Sequence, residues 1–362
     1  MFTLLENGEQ FHFPSRYVID GTVGSGKNGI VKKAWDTQTE QYVAIKKLKQ
    51  PFENPSFARR TFRELALLNS INHQNVIKLL DVYTPQKNFD EFRDVYYVME
   101  YMNTNLSSEI SFSRQLDQSC CPNNKENLSF IMYQILCGVN HLQKCEIMHR
   151  DLCPENICYN GNVVKILGFG LACPQKSVAL TRYVTGRPYR APEILLGKNY
   201  DKRADIWSIG CIFAELIKKH VMFLGENPLN QWEKIIECLG TPNSSFFESV
   251  RNPSINAFVR SLPIFPSKAW ENLFPDSLFC LHQTSNNITD SNARDLISRM
   301  LVIDPNYRIS IQNALQHPYV RLWRKDEEVN APAMLIYGAN IDGVQHYVET
   351  WKQMIFQHIR GW

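Results

Sequence analysis

The sequence predicts an α+β chain, with a small β-rich lobe over about residues 17–102 and a larger helical lobe over about 103–320. Two patterns carry that prediction. Residues 17–46 alternate apolar and polar side chains between glycines, and residues 94–100 do so again, which is the period-two signature of strands. Beyond about Met102–Leu106 the apolar positions instead step by three and four, the period of helices. A chain of 362 residues is ample for a sizeable core.

Each element has its own local reason. Pro55 is placed to open a helix through Ser56–Leu68. Leu128, Ile131, Ile135, Val139 and Leu142 form one apolar stripe of a second helix. Residues 206–217 are apolar on nearly all sides, so that helix belongs in the centre of the large lobe. Val348, Trp351, Ile355 and Ile359 make a last stripe.

Composition excludes more than it assigns. A hydrophobic share of 44% is ordinary for a globular chain and excludes disordered and collagen-like classes. A net charge of +3 is too small to argue for nucleic acid or an anionic membrane. The first residues include an early Glu6 and Gly8, so no signal-peptide core is expected and the chain is read as intracellular. None of the 10 cysteines forms paired CxxC knuckles, so zinc is not expected and most should be free core residues.

Motifs supply the chemistry. Gly24-Ser25-Gly26-Lys27-Asn28-Gly29 is a GxGxxG, for which a chance glycine-rich turn is the plain alternative. A dinucleotide fold would continue into a helix, but residues 30–35 favour a strand. A strand–glycine loop–strand hairpin can cover phosphates with backbone N–H groups, because small residues let the backbone approach. Lys46, in Val43-Ala44-Ile45-Lys46, supplies a cation from the next strand, and Glu64 on the following helix is its obvious partner. Further on come His149-Arg150-Asp151-Leu152-Cys153-Pro154-Glu155-Asn156, then Phe169-Gly170, Ala191-Pro192-Glu193 and Asp205-Ile206-Trp207.

In that order these motifs resemble the eukaryotic protein kinases over residues 17–320. Met99-Glu100-Tyr101-Met102, Val184–Arg190 and the Thr-x-Tyr of Thr181-Arg182-Tyr183 are similar to MAP kinases. Pro51-Phe52, Leu136-Cys137-Gly138, Leu315–Tyr319 and Glu349–Lys352 resemble the c-Jun N-terminal kinase subgroup, with residues 321–362 as a MAP-kinase-type extension. The resemblance implies a bilobal protein-kinase fold, ATP and Mg as cofactors, an upstream MAP kinase kinase, docking-motif or scaffold proteins and protein substrates as partners, and a cytoplasmic or nuclear location. It implies that Val23, Gly24, Ser25, Gly26, Lys27, Asn28, Gly29 and Val31 cover ATP and that Lys46 holds its phosphates against Glu64. Met99 would be the gatekeeper, Glu100 to Met102 the adenine hinge, Asp151 the group that orients the substrate hydroxyl, and Asn156 a magnesium ligand. Thr181 and Tyr183 would be phosphosites read by arginines such as Arg150 and Arg63. Glu193 is expected to pair with Arg308, and Asp326, Glu327 and Glu328 to form an acidic docking patch.

The sequence departs from that pattern at linked positions. Gly168 stands where these kinases carry the Asp that is their main magnesium ligand. Cys153 replaces a Lys that touches the transferring phosphate, Gly186 a Thr that bridges that Lys and the catalytic Asp, and Cys173 an Arg of the phosphate-sensing cluster. Cys153 has two readings, a plain small replacement or a thiol activated by neighbouring cations. The expectation is impaired phosphotransfer with nucleotide binding retained. The alternative is an active, ATP-dependent, proline-directed Ser/Thr kinase in which another carboxylate, such as Glu155, reaches the metal.

Overall fold

A computed structural model describes residues 1–6, 8–26, 29–115, 125–174, 186–279, 288–333 and 346–361. These fall into two compact units. One holds the described residues to Asn103, with 168–170 and the last helix; the other holds the described remainder up to 333.

The first unit is built on an antiparallel sheet of five strands in the order β3-β4-β5-β7-β6, where β3 is Tyr17–Gly26, β4 Gly29–Asp36, β5 Gln41–Leu48, β6 Leu79–Tyr83 and β7 Tyr96–Glu100. A separate hairpin, β1 (Phe2–Glu6) with β2 (Glu9–Phe13), precedes it. The period-two stripes converge on one buried cluster that includes Phe11, Tyr17, Val43, Ile45, Tyr96 and Val98. Gly29 is required where it stands: its φ is +129°, and a Cβ there would lie 1.9 Å from the Lys47 carbonyl oxygen.

Helix α1 (Pro55–Ser70) starts at Asn54, whose Oδ1 accepts from the Phe57 N–H at 3.0 Å, with Pro55 in the first turn. It buries Ala58, Phe62, Leu65 and Leu68. The last helix, Val348–Arg360, packs on α1: the rings of Trp351 and Phe62 are 5.5 Å apart, and Phe356 lies 5.1 Å from Phe92. Its buried positions are Trp351, Ile355 and Ile359, while Val348 stays half-buried.

The second unit is mainly helical. Helices α2 (Leu106–Gln115) and α3 (Lys125–Lys144) come first, then the short α4 (Pro192–Leu195) and the central α5 (Arg203–Lys218). Small sheets pair β10 (Ile157–Tyr159) with β11 (Val164–Ile166) and with β8 (Thr104–Asn105), and β12 (Cys173–Pro174) with β9 (Ile147–Met148). Among the described residues no helix is long and apolar enough to cross a membrane.

One expectation is corrected here. Helix α3 is buried nearly all round, not along a single stripe. Its polar residues are bonded inside the unit: Gln134 donates to the Asn162 carbonyl and accepts from the Val164 N–H, both at 3.0 Å, and Asn140 donates to the Val329 carbonyl at 3.0 Å. Burying such groups is tolerable only with these bonds made.

Candidate active site

Each unit carries its own share of the residues singled out by sequence. In the first, β3 and β4 run into the glycine hairpin, with Gly24 opposite Val31 and Gly26 opposite Gly29. Gly24, Ser25 and Gly26 close β3, while Lys27 and Asn28 lie outside the described residues. Val23 is exposed and Val31 half-buried. The pairing of β4 with β5 sets Val31 opposite Lys46. Lys46 Nζ lies 3.0 Å from Glu64 Oε1 on α1, and both side chains are mostly buried. Met99 and Glu100 end β7; the Glu100 carboxylate accepts from the Lys78 N–H at 2.8 Å, and Met102 is buried just beyond. Gly168 has φ +87°, Phe169 is fully buried, and a Cβ at Gly170 would come 3.8 Å from Glu64 Oε2.

In the second unit, Asn156 follows the turn Pro154–Asn156 and its Nδ2 donates to the Asp151 carbonyl at 2.8 Å and to Asp151 Oδ2 at 3.1 Å. The loop that carries Asp151 hangs on Asp205 of α5, whose two carboxylate oxygens accept the His149 N–H at 2.8 Å and the Arg150 N–H at 2.9 Å. Arg150 takes the left-handed φ of 68° that this loop demands. The role of Asp205 was missed in the sequence. The signal was there: a carboxylate in a helix apolar on nearly all sides needs buried donors.

Three of the positions that depart from the resemblance, Cys153, Cys173 and Gly186, belong to the same unit as this loop. Arg150 Nη1 donates to Cys173 Sγ at 3.0 Å, so a thiol occupies the place beside that guanidinium. Gly186 has φ +79°, and a Cβ there would stand 3.4 Å from Asp151 Oδ1. The activated-thiol reading of Cys153 fails. The side chain is 8% exposed. Burial, with the carboxylates of Asp151 and Glu155 close by, pushes the thiol well above its ordinary range. Its neighbours are anions where activation needs cations.

The remaining expected residues fall elsewhere in this unit or outside the described chain. Glu193 and Arg308 form a doubly bonded pair at 2.8 and 3.0 Å. Glu328 accepts from Tyr133 Oη at 3.0 Å and from Lys325 Nζ at 3.0 Å, and Asp326 from Arg324 at 2.8 Å, so two of the three acids are engaged within the chain. Glu327 is exposed. Thr181 and Tyr183 lie outside the described residues.

Two buried groups here have opposed pH dependence. Full burial pushes the Asp205 carboxyl up from 3.8 to about 6, even with N–H donors and Arg150 near. Full burial drops His149 from 6.5 to about 4, although its ring bonds the Leu167 carbonyl. As pH falls through 6.5 toward 4, the unfolded chain protonates His149 and the folded chain does not, so folding weakens. As pH falls through 6 toward 3.8, the folded chain protonates Asp205 and the unfolded chain does not, so folding strengthens. The two effects offset in the parent. Asp205→Asn should therefore lose about 2 kcal/mol more than the parent between pH 7 and 4.5, read from urea melts at each pH. Equal losses in parent and variant would contradict this account.

A β-hairpin of glycines with a paired Lys–Glu beside it, in a chain whose other unit holds an Asp–Asn loop anchored on a helical Asp, is the arrangement of a protein kinase. Residues 17–320 match the family model for the protein kinase domain, and the chain belongs to that family. It is similar to the stress-activated protein kinase JNK of Drosophila melanogaster, 43% identical over 361 residues, covering 99% of this chain and 94% of that one. It is also similar to the stress-activated protein kinase jnk-1 of Caenorhabditis elegans, 46% identical over 339 residues, covering 93% and 71% respectively. Within the protein kinases the chain thus belongs to the JNK type of stress-activated Ser/Thr kinase.

The two cofactors of that family fare differently against these residues. The glycine hairpin and Lys46 fit a triphosphate, since they offer backbone N–H groups and a cation. Magnesium needs oxygen ligands in octahedral array. Gly168 offers no side chain, whereas Asn156, whose amide nitrogen bonds Asp151, keeps its amide oxygen as a metal donor. Among the described residues no three His, Cys, Asp or Glu side chains gather where they could hold a metal ion. The carboxylate that the resemblance calls for at position 168 is therefore absent, and that position does not fit the ion.

Proposed function

We infer that this JNK-type chain acts mainly by binding, with nucleotide retained and phosphotransfer impaired. The observation that carries this reading is Gly168: a left-handed glycine without a donor atom stands where the resemblance calls for the metal-holding carboxylate. Cys153, buried beside Asp151 and Glu155, adds to it, because a thiol supplies no positive charge to meet a transferring phosphate. Losing the principal metal ligand costs several kcal/mol of barrier, on the order of a thousand-fold in rate. The partners this reading implies are an upstream MAP kinase kinase and scaffold or docking-motif proteins, in the cytoplasm or nucleus, without nucleic acid or membrane. Docking through the acidic patch would rest on Glu327, with Asp326 and Glu328 held by internal pairs.

The second reading, an active proline-directed kinase with atypical metal handling, is favoured by one feature: the Asp151–Asn156 pair keeps its hydrogen bonds. It needs a substitute carboxylate. Glu155 is exposed, but it accepts from Ser107 Oγ at 3.1 Å.

A phosphotransfer assay separates the two. Purified chain phosphorylated at Thr181 and Tyr183, given magnesium, ATP and a Ser/Thr-Pro peptide, should incorporate no more phosphate than Asp151→Asn. Incorporation that disappears only in Asp151→Asn establishes the active kinase instead.

A further inference from the structure

The lysines of β4 and β5 divide by where they are engaged. Lys32 Nζ donates to Thr22 Oγ1 at 3.0 Å and stands 5.5 Å over the Phe11 ring. Lys33 pairs with Asp20 at 2.6 Å and lies 3.8 Å over the Tyr42 ring. Lys47 donates to the Gln10 carbonyl at 2.6 Å and lies 3.7 Å from Asp94. Of these four, Lys46 is the one turned to α1, where it meets Glu64. Gly170 lies against that same Glu64, and Gly168 is two residues before it.

The charge around Lys46 therefore has a definite sign problem for a metal complex. Glu64 is the carboxylate beside it, and it is already paired. Drawing Glu64 onto a divalent ion would leave Lys46 without its partner and next to a second positive charge, a repulsion that a partly buried site screens weakly. A bound divalent ion also cancels much of the phosphate charge that Lys46 attracts. Where a further carboxylate holds the ion, metal–oxygen bonds offset both effects. Here Gly168 removes that offset.

We propose that this site takes a nucleoside triphosphate as the metal-free polyanion, and that magnesium weakens the binding. The proposal rests on the reading above in one respect, that nucleotide binds beside Lys46 and the glycine hairpin.

The test is calorimetric titration of the full chain with ATP, once in EDTA and once in excess magnesium, with sodium chloride added to match ionic strength. ATP should bind about ten-fold more tightly in EDTA. AMP, which lacks the outer phosphates, should show no metal effect. Lys46→Met should lose ATP binding in both buffers while melting cooperatively without ligand. Gly168→Asp, which returns a carboxylate, should reverse the preference. Tighter binding with magnesium in the parent, or absence of binding in EDTA, overturns the proposal. Magnesium-tightened binding without phosphotransfer would remove this inference and leave the proposed function standing, whereas metal-free binding in a chain that transfers phosphate would do the reverse.

Discussion

Replacing Gly168 by Asp and Cys153 by Lys together should raise phosphotransfer by about a thousand-fold over the parent. Both substitutions return the residue that the resemblance calls for. Gly168 has φ +87°, a left-handed conformation that Asp tolerates better than most residues. Burial is what chiefly holds the Cys153 thiol protonated, and it works against an ammonium, while the carboxylates of Asp151 and Glu155 favour one. Gly186 is different. The resemblance makes Gly186→Thr the natural third restoration, but φ there is +79° and a Cβ would stand 3.4 Å from Asp151 Oδ1. A β-branched residue in that conformation costs about 1–2 kcal/mol, and the crowding falls on Asp151. The triple variant should therefore be less active than the double. Initial rates on a Ser/Thr-Pro peptide measure this, with Asp151→Asn as background. A double variant that folds and binds ATP with magnesium, yet stays at that background, would remove metal and phosphate handling as the cause of impairment.

What the sequence disclosed and what it hid divide by locality. Strands β3 to β5 were legible from short alternating runs between glycines, although β3 is mostly exposed and Val43, Ala44 and Ile45 of β5 are all buried. Helix α5 was legible because burial on all sides leaves it apolar. Helix α3 misled because its polar residues resemble a solvent face. Gln134 bonds Asn162 and Val164, and the Asn140 amide nitrogen bonds Val329, all backbone groups distant in sequence. Hairpin β1–β2 went unread, since five-residue strands around Gly8 give too short an alternation.

The site shows the same division at the level of charge. Lys46–Glu64 was read from a strand lysine followed by a helical carboxylate, whereas Glu193–Arg308 came only from the family resemblance; the geometry then supplies their distances. The reactivity of Cys153 turned on the sign of its neighbours, which its residue type does not reveal. The acidic run at 326–328 likewise read as a free patch until Tyr133, from a helix far earlier in the chain, was seen to hold Glu328. A buried Asp such as Asp205 is the useful exception: its cost in an apolar helix announces that something must be hydrogen-bonded to it.

Arg308→Met should destabilise the second unit by about 3–5 kcal/mol. Arg308 and Glu193 have side-chain exposures of 0% and 1%. The guanidinium meets Glu193 through both terminal nitrogens, donates to the carbonyls of Arg203 at 2.7 Å and Val302 at 3.0 Å, and lies 5.3 Å from the centroid of the Trp207 ring. Methionine fills much of the volume, so the loss is chiefly electrostatic: a buried carboxylate without a counter-ion, and carbonyls without donors. At roughly 2–4 °C per kcal/mol the melting temperature should fall by on the order of 10 °C. The second half of a double-mutant cycle identifies the mechanism. Glu193→Gln placed on Arg308→Met removes the stranded charge, so it should recover part of the loss, although Glu193→Gln alone destabilises. Strict additivity of the two substitutions would mean that the pair is not coupled and that Arg308 acts through its carbonyl partners. Coupling would have a consequence for function. Glu193 lies in α4, six residues after Arg187 opens the turn Arg187–Tyr189, which follows Gly186, where a Cβ would stand 3.4 Å from Asp151 Oδ1. The pair thus fixes the far end of the segment that passes Asp151, and a chain that works by binding needs that segment held as much as one that transfers phosphate.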